Sequence, residues 1–160
     1  MACRNHAQRI RPLVQQALDD ANLTLDDVTA FAATRGPGLT DITRDVARIV
    51  AAAGIATGVA TLFIRHTSAS LTIQENADPD VLADLQTFFE KIAPYTGEYR
   101  HSTEGPDDMP AHIKSALTAT SLSVPIIDTA LVLGVWQGIY VFEHRSHPHT
   151  REVVVHVMGE

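Results

Sequence analysis

Between His66 and Glu143 the chain carries side chains that can move protons, hold cations or stack on rings. His66 follows the apolar stretch Leu62-Phe63-Ile64 and precedes two hydroxyls, Thr67 and Ser68. An imidazole at a strand end can act as acid, base, metal ligand or hydrogen-bond donor to an anion, or it can be satisfied by backbone in a turn. The spacing lacks the flanking glycines of a nucleophile elbow, and Thr67 and Ser68 are assigned to substrate binding. Further on, Glu75-Asn76-Ala77-Asp78-Pro79-Asp80 packs carboxylates and an amide into a strand-to-helix junction. Oxygen ligands at that density suit Mg²⁺. Asp78 and Asp80 fit equally well as a helix cap and a first-turn charge; Glu75 and Asn76 have no such structural reason.

His101 and His112 bracket Glu104, Asp107 and Asp108. Neither H-E-x-x-H nor C-x-x-C is present, yet the imidazoles could converge with His66 through the fold. A divalent metal, Mg²⁺ or Zn²⁺, is therefore expected, with His101, His112 and Asp78 as ligands. Gly134-Val135-Trp136-Gln137-Gly138 sets the only tryptophan beside an amide. Trp136 can stack on a ring while Gln137 fixes its edge, or it can be core. Glu143 lies in an apolar run and needs a partner if buried. His144, His147 and His149 surround Ser146 and Pro148 and read as decoration on a solvated hairpin.

These residues need a scaffold, and the 160-residue chain is long enough for one domain. Hydrophobic residues at 45% and charged residues at 19% are globular values and argue against disorder. A net charge of -7 gives no long-range attraction for nucleic acid or anionic lipid. Cys3 has no internal partner, which fits a reducing cytoplasm. The uncharged run 49–64 is too short for a membrane span, which needs roughly 20 residues, and Gly54 and Gly58 break it.

Periodicity supplies the elements. Ile10, Leu13, Val14, Ala17, Leu18 and Ala21 share one helical face. A strand over 28–34 precedes the turn Arg35-Gly36-Pro37-Gly38. A helix with Asp41 near its start stops at Gly54. Strands over 59–65 and 70–74 follow, then a helix capped by Asp78 with Pro79 at its first position. The stripe of that helix is Val81, Leu82, Leu85, Phe88, Phe89 and Ile92. A polar stretch over 94–109 reads as a functional loop, and Pro110 opens a short helix through Ala119. Strands over 122–127, 131–133, 139–144 and 152–157 complete the chain, the last expected to be buried on both faces.

The stretches FIRHTSASLTIQENADPDV (63–81), YRHSTEGPDDMPAHIKSAL (99–117), LGVWQGIYVFEHR (133–145) and VVVHVMGE (153–160), with Asp41-Ile42-Thr43, make residues 40–160 resemble the YjbQ family of secondary thiamine-phosphate synthases. The resemblance implies an α/β fold of α+β type, with packed β-sheets and flanking helices, assembled as a homotrimer. It implies a pocket of His66, Asn76, His101, His112, Trp136 and Gln137. Its activity would join a pyrimidine diphosphate to a thiazole phosphate, with small phosphorylated substrates as the only partners beyond the trimer and no nucleic acid or membrane. A non-catalytic metal- or small-molecule-binding module is the alternative. The family often has Gly-Arg where this chain reads Thr129-Ala130.

Residues 2–39, ACRNHAQRIRPLVQQALDDANLTLDDVTAFAATRGPGL, resemble a fragment of the TsaD family of tRNA threonylcarbamoyladenosine enzymes. That family's metal and nucleotide motifs are absent, so a role in tRNA modification ranks last. The expected organisation is a helix–strand segment over 1–39, chimeric in origin, that adds an extra N-terminal helix and an edge element to a domain over 40–160.

Overall fold

The computed structural model describes residues 28–160, with the first strand described by its backbone. The expected helix over 10–21 lies outside the described residues. In chain order the elements are β1 (Val28–Arg35), β2 (Gly38–Asp41), α1 (Thr43–Ala53), β3 (Thr57–Ile64) and β4 (Ala69–Glu75). They continue with α2 (Pro79–Ile92), α3 (Asp108–Leu117), β5 (Ser121–Ile127), β6 (Ala130–Leu131), β7 (Gln137–Glu143) and β8 (His149–Gly159). Five strands pair in the order β1-β8-β3-β5-β6, and three pair as β2-β7-β4. Every pairing is antiparallel, so the fold is α+β with two packed sheets.

Alternation builds the core between the sheets. Ala60, Leu62 and Ile64 of β3, Val124 and Ile126 of β5, and Val153 and Val155 of β8 point inward from the large sheet. Leu71, Ile139 and Val141 of the small sheet join them, together with Ile42, Val46 and Val50 at α1. The opposite face of the large sheet leaves Phe63, Ile127 and Met158 exposed. β8 is thus buried on one face only: Val154 and His156 are half-buried and Met158 is exposed, which corrects the expectation of a doubly buried strand.

Local signals hold at the helix ends. Gly54 adopts φ 66° and closes α1, a left-handed conformation that glycine reaches without strain. Asp41 ends β2 and accepts a hydrogen bond from Thr43 N at 2.8 Å. Asp78 caps α2 by accepting from Asp80 N at 2.9 Å, with Pro79 next in line. The apolar stripe of α2 is only partly covered. Phe89 stacks edge-on against Phe142, with ring centres 5.3 Å apart, whereas Phe88 and Ile92 stay exposed. Among the described residues, no helix is long and apolar enough to cross a membrane.

Candidate functional site

At one end of the β4–β7 pair, three irregular segments meet: the β3–β4 junction at 65–68, the loop leading into α3, and the β7–β8 turn at 144–148. α3 begins at Asp108, two residues before the expected start at Pro110. That shift puts Asp108 and His112 one helical turn apart on the same face. Asp108 is 2% exposed, and its Oδ1 accepts from Arg145 Nη1 at 2.6 Å. Its Oδ2 has no hydrogen bond of acceptable geometry, although His101 Nε2 lies only 2.8 Å away. His112 Nε2 lies 3.7 Å from Oδ1.

The protons on His112 follow from its other nitrogen. Nδ1 sits 3.0 Å from the carbonyl oxygen of Thr67. A carbonyl only accepts, so Nδ1 carries the hydrogen and the neutral ring turns a lone pair at Nε2 toward Asp108. One ligand atom each from His101, Asp108 and His112 fall within 4.8 Å of one another. His101 is half-exposed and His112 less so, which leaves the group open to solvent on one side.

Arg145 organises the loop beneath this group. Besides Asp108, it donates to Asp107 Oδ2 at 3.1 Å and to the Glu104 carbonyl at 2.8 Å. Asp107 also accepts from the backbone N and the hydroxyl of Ser146, both at 2.8 Å. Burial works to raise the Asp107 pKa, but the Ser146 N–H and hydroxyl and the Arg145 guanidinium hold it well below the usual carboxylate range. Gly105, at φ 112°, lets the loop pass: a Cβ there would come within 3.2 Å of Asp107 Oδ1.

A second guanidinium orders the β3–β4 junction. Arg151, 2% exposed, donates from Nε and Nη2 to the two oxygens of buried Glu143 at 2.6 Å each. Its Nη2 also donates to Ser68 Oγ at 3.1 Å. Ser68 in turn directs its backbone N–H at 3.1 Å and its hydroxyl at 3.0 Å onto His66 Nδ1. Burial lowers the His66 pKa, and Arg151 lowers it further; Glu143 opposes them, while His149 and His112 add to the lowering. Glu143 is therefore the buried counter-ion of Arg151, the partner its apolar setting demanded, and not a group turned toward a ligand. His144 corrects the reading of a solvated hairpin. It is 2% exposed, meets Ser70 Oγ through Nε2 at 2.9 Å, and burial pushes its pKa down to about 3. His147 is exposed and His149 half-buried, as a hairpin would have them.

The other expected site residues lie elsewhere. Register pairs Ala69 with Glu143 at one end of the ribbon and Glu75 with Gln137 at the other. Six residues of strand separate these ends, about 20 Å. At the far end Asn76 Nδ2 donates to the Gln137 carbonyl at 3.3 Å, and Gln137 Oε1 accepts from Gly134 N at 2.8 Å. Trp136 is 64% exposed and borders a shallow surface with Glu75, Asp78 and Pro79. The expected single pocket is thus divided within the chain: His66, Thr67, Ser68, His101 and His112 gather at one end, and Asn76, Trp136 and Gln137 at the other. The carboxylate beside the two histidines is Asp108. Asp78 is not in that group, because its side chain is committed to capping α2.

Sequence reasoning missed Asp108 as the companion of His101 and His112, and missed Arg145 and Arg151 altogether. The signal for Asp108 was its i, i+4 relation to His112. The signal for Arg151 was its place on the inward face with Val153 and Val155.

Residues 28–160 match the family described as UPF0047 protein YjbQ-like. A Synechocystis relative named UPF0047 protein sll1880 is 57% identical over 129 residues, covering 80% of this chain and 88% of that protein. A crystal structure from Clostridium acetobutylicum is 37% identical with TM-score 0.76, covering 81% of this chain and 99% of that one. It is described as an uncharacterized conserved protein of the yjbq/upf0047 family. These descriptions carry no thiamine-phosphate synthase activity, so the expectation of that reaction is withdrawn. A tRNA N6-adenosine threonylcarbamoyltransferase from Nitrosospira multiformis is 37% identical over 79 residues, but the match spans only 23% of that protein. It is a fragment-level likeness, and the tRNA-modification reading falls with it. With a match running from β1 to the end of β8, the chain belongs to the UPF0047, YjbQ-like family.

Proposed function

We propose that this protein is a metalloenzyme whose centre is His101, Asp108 and His112, holding a divalent transition metal of the zinc class. The observation that carries the reading is the convergence of one ligand atom each from His101, Asp108 and His112 within 4.8 Å. His112 turns a lone pair toward Asp108, and the buried Asp108 Oδ2 lies 2.8 Å from His101 Nε2 without a hydrogen bond. The lone pairs of His112 and Asp108 repel unless a proton or a metal cation sits between them, and the nearby His101 adds a third ligand atom for a metal. Two imidazoles with one carboxylate favour zinc over magnesium, which prefers oxygen. Three protein ligands with a solvent-facing side is the pattern of catalytic rather than structural zinc.

The surrounding contacts support the same reading. The Thr67 carbonyl fixes the tautomer and tilt of His112, and Arg145 holds Asp108 by the oxygen that does not face His101. A bound ion would supply Lewis acidity to an oxygen of a small molecule entering from the open side. The exposed outer face of the large sheet, with Phe63, Ile127 and Met158, supports assembly as a homotrimer, which light scattering would read as three times the chain mass.

Zinc binding to chelator-stripped protein, followed by calorimetry and metal analysis, tests the centre. Wild type is expected to take a single ion, and Asp108→Asn and His112→Ala to lose more than about 100-fold in affinity. Folded wild-type protein that takes no zinc, or variants that bind as tightly, would overturn the reading.

A further inference from the structure

His66 stands beside the proposed centre without belonging to it. Its neighbour Thr67 supplies the carbonyl that holds His112, so both rings stand at the same junction. The protons on His66 are fixed by chemistry rather than by choice. A backbone N–H can only donate, so the 3.1 Å contact from Ser68 N makes His66 Nδ1 an acceptor. Arg151 can only donate as well, so Ser68 Oγ receives its hydrogen bond and sends its own hydrogen to the same Nδ1 at 3.0 Å. Two donors converge on one lone pair. The neutral ring must then carry its hydrogen on Nε2, at the opposite edge, where it has no partner among the described residues.

We infer that His66 is a fixed Nε2–H donor that receives a small oxyanion, such as a phosphate or carboxylate group, bound on the open side of the His101–Asp108–His112 centre. The inference rests on the metal reading for where the ligand sits, but not for the state of His66. A nitrogen carrying hydrogen cannot ligate a metal, so His66 is outside the ligand set. A fixed N–H donor takes an oxygen acceptor, and beside a divalent cation an oxyanion supplies both that acceptor and the compensating charge. The chain Glu143–Arg151–Ser68 is the positioning device. Glu143 anchors Arg151 with two short bonds, Arg151 orients the Ser68 hydroxyl, and Ser68 sets the His66 tautomer.

Nitrogen-15 NMR of histidine-labelled, metal-free protein tests the tautomer directly. The neutral Nε2–H form is expected at His66, and an Nδ1–H form would overturn the inference. Inorganic phosphate is then titrated into zinc-loaded and metal-free protein. The His66 Nε2–H resonance is expected to shift, and His66→Phe to weaken phosphate by about tenfold or more while zinc affinity stays unchanged. Equal phosphate affinity in that variant would sink the proposal. Ser68→Ala keeps the backbone N–H on Nδ1 and loses the hydroxyl, so the Nε2–H tautomer is expected to persist while phosphate binding weakens, with Ser68→Thr restoring the affinity. It decides the matter should His66→Phe fail to fold. Protein that takes no zinc but keeps the tautomer and the phosphate-dependent shift would remove the metal reading and leave this one standing.

Discussion

The two ends of the β4–β7 ribbon share strands and register, yet they are built differently. At the His66 end, two guanidiniums bind four acidic or hydroxyl side chains, and two imidazoles have their tautomers set by fixed partners. At the Trp136 end the side chains satisfy one another through backbone groups, and the tryptophan lies open. Burying charge is costly, so a structure that does so at one end and not at the other has concentrated its electrostatic order there. Perturbed ionisation is concentrated at the same end, in Asp107, His66 and His144, while at the other end burial raises the pKa of Tyr140, whose hydroxyl donates to the Glu75 carbonyl.

Substitution at the ordered end should show the largest effect. Arg145→Met leaves Asp107 and Asp108 without their cation and is expected to cost about 3–5 kcal/mol in urea unfolding. Zinc affinity should also fall about 10–100-fold through the loss of support to Asp108. A mild effect on both would mean that the two ends are more alike than their contacts suggest.

The next effect in size is a pH dependence. His144 has its folded pKa depressed from 6.5 to about 3, so the fold favours the neutral ring. Its contribution to stability is complete above 6.5 and is lost as pH falls from there toward about 3. Unfolding midpoints measured across that window should fall more steeply in wild type than in His144→Phe. Parallel profiles would show that the buried ring is not titrating in this way.

The smallest effect belongs to the other end. Trp136→Ala should change stability by no more than about 0.5 kcal/mol, because so little of the ring is covered. A loss of several kcal/mol would show that Trp136 is packed in solution, for example against another copy of the chain.

What could be read from the sequence was what depends on neighbours in the chain. Gly54, Asp78 and Pro79 mark helix ends because capping is settled within three or four residues. His66, His101 and His112 stood out by residue type at element ends. Pairings across the fold were not legible. Arg145 meets Asp107 across 38 residues and Arg151 meets Ser68 across 83, distances over which periodicity carries no information. The division of the expected pocket has the same origin. Ser68 and Asn76 are close in sequence, but the extended strand between them carries them apart. Asp108 was hidden for a local reason: placing the helix start at Pro110 removed the one-turn relation to His112.

The position of β8 bears on how the molecule comes together. It lies between β1 and β3, and its residues Val153 and Val155 close the core of the large sheet. Among the described residues β1 pairs only with β8, so its place in the sheet depends on a segment more than a hundred positions downstream. Contacts of such long range slow folding, because the loop must close before any pairing offsets its entropy. Arg151 sits in this late strand. The step that completes the sheet is therefore also the step that brings Arg151 against Ser68 beside the His66 ring, and a chain stalled before it would have neither.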